Sequence, residues 1–549
     1  MRPLGRLSSS SSSSSSIAAA AAASTGVAAL AAVAASPPVF IATAAVSTLF
    51  LLRLLTRATV GHLPEVHFPE KKDNGEDSRS VCLETVLSRV PSLRSPLLAP
   101  AALASTPLGA GGHAETIFAA KARLAPGVDY ERELLKMPDG GTVALDTLSE
   151  KDVERIAEAL ALSSPLAPLS DDSPVLVVLP GLTGGSHDAY VQHLAASARR
   201  AGFRPVVFNS RGTSGSPVTS PQFYSASFVG DLDRVVRHLA SKYPRAQLVA
   251  AGYSLGANIL VNYLGGFGEN AGEERGSGFD GNKASSNSHL ISAAVSMANP
   301  FDLVLSDRNF ERGFNRVYDF NLARSLRTIF TEHVHLWEEK REGEGNESLD
   351  ALFDPERAKT AKTIRDFDDA ITRVSFGWPS VDHYYAGSSS AQRIGNVRVP
   401  LLCLQALDDP IAPAAAIPRD EMRQNANVVL ATTRTGGHLG WCCAAASARV
   451  GRGDEQGGRL FTGAPWCDAP AVEFLSSTLV QLREEGKVLE RGGREVETPS
   501  LSPSISHQLN HVAHCLLRGL VERHQVPDEV VAQQRGKHVV AAQERGRPR

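Results

Sequence analysis

The stretch Leu248-Val-Ala-Ala-Gly-Tyr-Ser-Leu-Gly-Ala-Asn-Ile-Leu260 decides how the rest of the chain is read. A short apolar run reaches Gly252-Tyr253-Ser254-Leu255-Gly256 and then gives way to Ala257-Asn258-Ile259-Leu260-Val261, which suits a helix. A strand, a sharp turn and a helix, with a serine at the tip, form a geometry that lifts a hydroxyl clear of a sheet edge. Gly252 and Gly256 fit it, because the turn is strained and the helix must pass close to the strand without side-chain bulk. The positive end of the helix dipole would then lie beside Ser254 and favour negative charge forming there. A plain helix N-cap is the bland alternative for the same serine.

Outward from this stretch, apolar runs alternate with helical patterns. Strands are expected at Val175 to Leu179, Pro205 to Phe208, Gln247 to Gly252, Ile291 to Met297, Pro400 to Gln405 and Val428 to Thr432. Between and after them, helices are expected at Ala189 to Ala201, Phe228 to Tyr243, Leu255 to Leu264 and Val472 to Glu485. Such alternation predicts an α/β fold with a mostly parallel sheet covered by helices on both faces. Asp129 to Asp146, folded around Pro138-Asp139-Gly140-Gly141, reads as a hairpin that opens the sheet. Ser306 to Ser390 breaks the rhythm with helix formers and aromatics, and would form a helical cap over the carboxyl ends of the strands.

At 549 residues and 42% hydrophobic, the chain can bury a large core, and its net charge of -3 gives no reason to expect a nucleic-acid partner. The six cysteines show no metal-ligand spacing and demand no disulfide framework, so they read as mostly reduced. The first acidic residue is Glu65, and before it lie a serine run, Ser8 to Ser16, and an uncharged run from Ile17 to Leu52. A membrane-spanning helix needs about 20 apolar residues, and Pro38 to Leu55 is the best candidate. A single-pass N-terminal anchor is therefore expected, with an organelle transit peptide, plastid or mitochondrial, as the alternative. Gly268 to Ser288 reads as a polar surface insertion. The chain thus divides into an anchor or targeting segment (1–64), a linker (65–105), a core with the elbow serine (106–300), a cap (301–395), a core segment with acid and histidine (396–488) and a charged tail (489–549).

A serine hydroxyl needs a base to take its proton and a third group to hold that base. The chain supplies both in the order Ser, acid, His. Asp408-Asp409 follows the strand Pro400 to Gln405, and His438, in Thr435-Gly-Gly-His-Leu-Gly-Trp441, follows the strand Val428 to Thr432. Both lie at carboxyl ends of expected parallel strands, where open α/β sheets hold their sites. Asp409 is preferred to Asp408, since Asp409-Pro410 puts the acid at a stiff strand-loop corner. Oxyanion donors are expected from the backbone N–H of Leu255 and from Leu182 in Pro180-Gly-Leu-Thr-Gly-Gly185. Arg211 reads as a loop anchor ahead of a substrate contact. No cofactor and no metal is called for.

Several motifs together resemble the AB hydrolase 4 family of the AB hydrolase superfamily. They are Gly112-His-Ala-Glu-Thr-Ile-Phe118, Leu179-Pro-Gly-Leu-Thr-Gly-Gly-Ser186, Phe208-Asn-Ser-Arg-Gly212, Gly252-Tyr-Ser-Leu-Gly-Ala-Asn258, Arg365-Asp-Phe-Asp-Asp-Ala-Ile-Thr372, Asp382-His-Tyr-Tyr385, Asp409-Pro-Ile-Ala-Pro413 and Gly436-Gly-His-Leu-Gly-Trp441. The resemblance runs from about residue 106 to 485. It implies an α/β-hydrolase fold, a triad of Ser254, Asp409 and His438, and cleavage of acyl esters, including acylglycerols and phospholipids. It also implies tethering by one N-terminal segment. The Ser-rich start, the insertion and the tail depart from the family pattern. The expected function is a serine hydrolase acting on acyl or lipid esters of short to medium chain. The alternative is a triad-bearing scaffold that only binds a lipid or hormone.

Overall fold

The computed structural model describes residues 59–69, 82–100, 110–152, 166–266, 290–344, 353–443 and 464–486. The strands are β1 (Thr59–His62), β2 (Glu65–His67), β3 (Leu97–Pro100), β4 (Tyr130–Lys136), β5 (Thr142–Leu148), β6 (Val175–Leu179), β7 (Arg204–Asn209), β8 (Leu248–Tyr253), β9 (Ile291–Met297), β10 (Leu401–Ala406) and β11 (Val428–Thr433). The helices that cover the sheet are α1 (Leu83–Ser88), α2 (Ala110–Lys121), α3 (Ala189–Arg200), α4 (Gly230–Lys242) and α5 (Leu255–Leu264). Between β9 and β10 come α6 (Leu303–Phe310), α7 (Asn315–His333), α8 (His335–Glu344), α9 (Pro355–Thr360), α10 (Ile364–Phe367) and α11 (Val381–Ser388), and then α12 (Arg419–Gln424) and α13 (Asp468–Glu484).

Nine strands form one sheet in the order β2-β11-β10-β9-β8-β6-β7-β5-β4. From β7 to β11 every pairing is parallel, while the hairpin β4–β5 and the edge strand β2 are antiparallel. β6 reads Val-Leu-Val-Val-Leu and is buried throughout, as a strand covered on both faces must be. Its side chains alternate. Val175, Val177 and Leu179 join Leu232, Val235 and Leu239 of α4 and Leu260 of α5 in one cluster. Leu176 and Val178 join Val191 and Leu194 of α3 and Phe474 and Leu475 of α13 in the other. The period of two in the strands meets the three-and-four spacing of the helices, and that match places a helix layer on each face.

The expected parallel sheet, hairpin and inserted helices are all present. The segment read as a linker also contributes to the fold. β2 pairs with β11, and Leu83, Val86 and Leu87 of α1 are buried against α13. Glu473 of α13 accepts hydrogen bonds from the N–H and hydroxyl of Ser92, at 3.0 and 2.8 Å.

The cap has an aromatic core of Phe330, Trp337 and Phe367, joined by Phe223 from the β7–α4 connection, with the rings edge-on or tilted and centroids 4.7 to 6.4 Å apart. Arg365 bridges Asp307 and Asp382, and a π turn at Asp368–Thr372 follows α10. Asn258 and Asn262 of α5 donate to the carbonyls of Ala226 and Ser388, so the helix behind the serine also pins the end of the cap.

The expected single-pass anchor is corrected. Among the described residues no helix is long and apolar enough to cross a membrane. The longest cap helix, α7, carries Arg316, Asp319, Arg324 and Arg327, charges that lipid would not tolerate unpaired. Pro38 to Leu55, the basis of the anchor expectation and of membrane association through it, lies outside the described residues. So do the transit-peptide alternative, the Gly268 to Ser288 insertion and the tail beyond 489.

Candidate active site

Ser254 sits at the tip between β8 and α5 with φ 51° and ψ -119°, a strained conformation of the kind that costs about 1–3 kcal/mol. Its N–H donates to the Met297 carbonyl of the neighbouring strand β9 at 2.9 Å, which helps hold it there. The flanking glycines are required by contact. A Cβ on Gly252 would lie 2.7 Å from the Ala257 Cα, and one on Gly256 would strike the carbonyls of Leu179 and Pro180.

β10 and β11 end beside this turn and deliver Asp409 and His438. His438 Nε2 lies 2.8 Å from Ser254 Oγ, and Nδ1 lies 2.8 Å from Asp409 Oδ2 and 3.1 Å from Oδ1. A carboxylate can only accept, so the imidazole proton belongs on Nδ1 and leaves Nε2 to accept from the serine. All three side chains are buried. Asp409 Oδ1 also accepts from the N–H groups of Ile411 and Ala412, both at 2.8 Å, which fixes the carboxylate toward the histidine. Asp408 faces elsewhere and accepts from Gly437 N–H at 2.9 Å. Burial, with Asp409 next to it, pushes its carboxyl up to about 6.

The histidine loop is held by α2, whose role sequence reasoning missed. Thr116 Oγ1 accepts from His438 N–H at 2.8 Å while donating to the Gly112 carbonyl at 2.7 Å. Glu115 accepts from Cys442 N–H at 2.7 Å. Arg123 donates to the carbonyls of Leu439 and Gly440. Burial, with Asp408 nearby, raises the Glu115 carboxyl to about 8, although the Cys442 N–H opposes the rise. The loop itself is strained, with Leu439 at φ 63° and Trp441 at φ 37°. Trp441 Nε1 donates to Thr433 Oγ1 at 2.9 Å. The motif from Gly112 to Phe118 was the available signal, but nothing in it says which loop it would grip.

The loop after β6 lies against the serine: a Cβ on Gly181 would be 3.2 Å from that of Ser254. Asn209 and Asp146 anchor its far end, with Ser186 N–H donating to Asn209 Oδ1 at 2.9 Å and Asn209 Nδ2 to Asp146 at 2.8 Å. Leu182 is in this loop, and Leu255 opens α5, where a first-turn N–H has no acceptor within the helix. Arg211 binds Asp231 through two nitrogens, at 2.7 and 2.8 Å, and also binds Asp139 in the β4–β5 turn. It is buried and occupied, in keeping with an anchor. From the cap, Tyr318 meets His113 Nδ1 at 2.9 Å. Of the cap aromatics, Phe301, Phe330, Trp337 and Phe367 are buried, whereas Phe314 and Phe320 are exposed.

A strand-turn-helix serine facing a histidine and an acid from the next strand ends, under an inserted cap, defines a protein of the α/β-hydrolase class. The family model described as alpha/beta hydrolase fold matches residues 174–438. The chain is 43% identical over 402 residues to the embryogenesis-associated protein EMB8 of Picea glauca, covering 73% of this chain and 77% of that protein. It is 32% identical over 317 residues to phospholipase ABHD3 of Mus musculus, covering 58% of this chain and 67% of that protein. It is 31% identical over 339 residues to the monoacylglycerol lipase of Saccharomyces cerevisiae, covering 57% and 70% respectively. The chain belongs to the α/β-hydrolase superfamily.

Proposed function

We propose that this protein is a serine hydrolase that cleaves carboxylic esters, lipid esters among them, through a covalent acyl-Ser254 intermediate. The observation that carries the reading is the line of two hydrogen bonds, each 2.8 Å, that joins Ser254, His438 and Asp409. His438 Nε2 takes the serine proton as Oγ attacks the ester carbonyl. Asp409 keeps the imidazole oriented and stabilises its positive charge. The carbonyl oxygen becomes an oxyanion, which the N–H groups of Leu182 and Leu255 stabilise. Collapse of the tetrahedral intermediate expels the alcohol, protonated by His438. Water, deprotonated by the same imidazole, then releases the acid and restores the serine.

The named activities of two relatives, a phospholipase and a monoacylglycerol lipase, support lipid esters as the substrate class. Acyl groups of short to medium chain are the expected preference, with cap aromatics such as Phe314 lining the approach. An apolar channel gains about 0.8 kcal/mol per methylene buried, so rates on a p-nitrophenyl ester series rise with chain length and then stop at the channel's end.

The test is labelling with a fluorophosphonate, run beside that ester series on wild type and Ser254→Ala. The expected result is labelling at Ser254 alone and loss of hydrolysis in the variant. A wild-type chain that binds lipid but is neither labelled nor hydrolytic would overturn the enzyme reading in favour of a binding scaffold. A flat chain-length profile would sink the lipid assignment.

A further inference from the structure

The N–H of Leu182 can serve an oxyanion only if its peptide faces the serine, and the structure surrounds that peptide with two fixed neighbours. Gly181 N–H donates to the hydroxyl of Tyr190 at 3.0 Å, and Thr183 N–H donates to the hydroxyl of Tyr224 at 2.8 Å. With the peptides before and after it pinned, the Leu182 peptide keeps one orientation, and its N–H is the one left for a ligand. The hold on Thr183 is needed. This β-branched residue sits at φ 60°, a left-handed conformation in which such a side chain is a genuine outlier. Strain of that kind persists only where surroundings over-determine it.

The two tyrosines come from different layers. Tyr190 lies in the first turn of α3 and packs edge-on against Tyr253, the residue before the serine, with centroids 4.8 Å apart. Tyr224 packs against the cap's aromatic core, and so does the side chain of Leu182. The loop is therefore gripped from the sheet side by Tyr190 and from the cap side by Tyr224.

We propose that Tyr190 and Tyr224 are positioning residues that aim the Leu182 N–H at Ser254, and that Tyr224 makes this aim depend on the packing of the cap. The inference rests on the ester-hydrolase reading given above. Neither tyrosine touches the reacting atoms. Their effect is confined to transition-state stabilisation, so it falls on kcat and leaves ground-state binding nearly unchanged.

The experiment compares wild type, Tyr224→Phe, Tyr190→Phe, Thr183→Gly and the double variant Tyr224→Phe/Thr183→Gly. Each is measured for kcat and KM on a p-nitrophenyl ester, for the rate of Ser254 labelling by a fluorophosphonate, and for Tm. Loss of a whole oxyanion donor costs about 10²–10³ in kcat, and a misaimed one less, so each Phe variant is expected to lose about 10- to 100-fold in kcat and labelling rate. KM stays within about twofold. Glycine rests at φ 60° without support, so the double variant recovers several-fold of what Tyr224→Phe loses. Wild-type kcat in both Phe variants, a loss confined to KM, or no recovery in the folded double variant would overturn the proposal. Should Tyr224→Phe fail to fold, Tyr190→Phe still decides it by the same split. Unimpaired hydrolysis by Ser254→Ala would instead remove the underlying reading, a result distinct from all of these.

Discussion

Replacing Thr116 with valine is the sharpest test of how the histidine loop is held. The two side chains have nearly the same shape, so the change removes one hydroxyl and little else. That hydroxyl is buried and bonds on both sides, accepting from His438 N–H and donating to the Gly112 carbonyl. Valine leaves the His438 N–H without a partner in a place water does not reach, at about 1–3 kcal/mol, whereas the Gly112 carbonyl keeps the backbone N–H one helical turn on. That cost is a large fraction of the stability of any domain. Part of it is relieved if the loop swings away, which carries the imidazole off Ser254. If about 2 kcal/mol appears as misplacement, kcat falls about thirtyfold. KM should move little, because the hydroxyl contacts backbone and not the acyl group. Thr116→Ser keeps both hydrogen bonds and loses only a methyl, worth about 0.8 kcal/mol. Ester hydrolysis kinetics with thermal unfolding of both variants is the assay. A Thr116→Val protein with wild-type kcat and Tm would refute the reasoning, and equal losses in the Val and Ser variants would assign the effect to packing.

Other predictions follow from the same geometry. Ser254→Ala or His438→Ala should lower turnover by about 10⁶ and Asp409→Asn by about 10⁴, measured on an activated ester. Asp408→Asn keeps an oxygen for the Gly437 N–H and should stay close to wild type; a loss equal to that of Asp409→Asn would mean the acid is misassigned. Gly256→Ala drives a methyl into the Leu179 and Pro180 carbonyls, so it should abolish fluorophosphonate labelling or folding, and an active, stable variant would contradict the elbow geometry. Glu115, raised from 4.5 to about 8, holds its proton in the folded state over a range where the unfolded chain has released it. Stability it contributes is therefore present below about 4.5 and lost as pH rises through about 8, by at most about 5 kcal/mol. Glu115→Gln should flatten that slope, and parallel Tm-against-pH curves for the two proteins would count against it.

The sequence by itself determined the parallel sheet, the elbow and the order of serine, acid and histidine. These are local signals. Continuous apolar runs such as Val175 to Leu179 mark strands buried on both faces, and Gly252 and Gly256 mark a turn with no room for a Cβ. The sequence favoured Asp409 over Asp408 only through the proline that follows it, and tertiary structure shows what turns it inward. Asp408 and Asp409 are neighbours in sequence, and only the N–H groups of Ile411 and Ala412 aim one of them at the imidazole. Tertiary structure alone showed that Thr116 grips His438 from 322 residues away and that the Tyr224 hydroxyl accepts from Thr183 N–H in the loop after β6. It also showed that a three-residue strand, Glu65–His67, completes the sheet edge, too short to announce itself by periodicity. Periodicity reports which residues a segment buries, since burial repeats with the turn of a helix or the pleat of a strand. A hydrogen bond between distant segments leaves no such repeat, because it depends on where folding has brought two particular atoms.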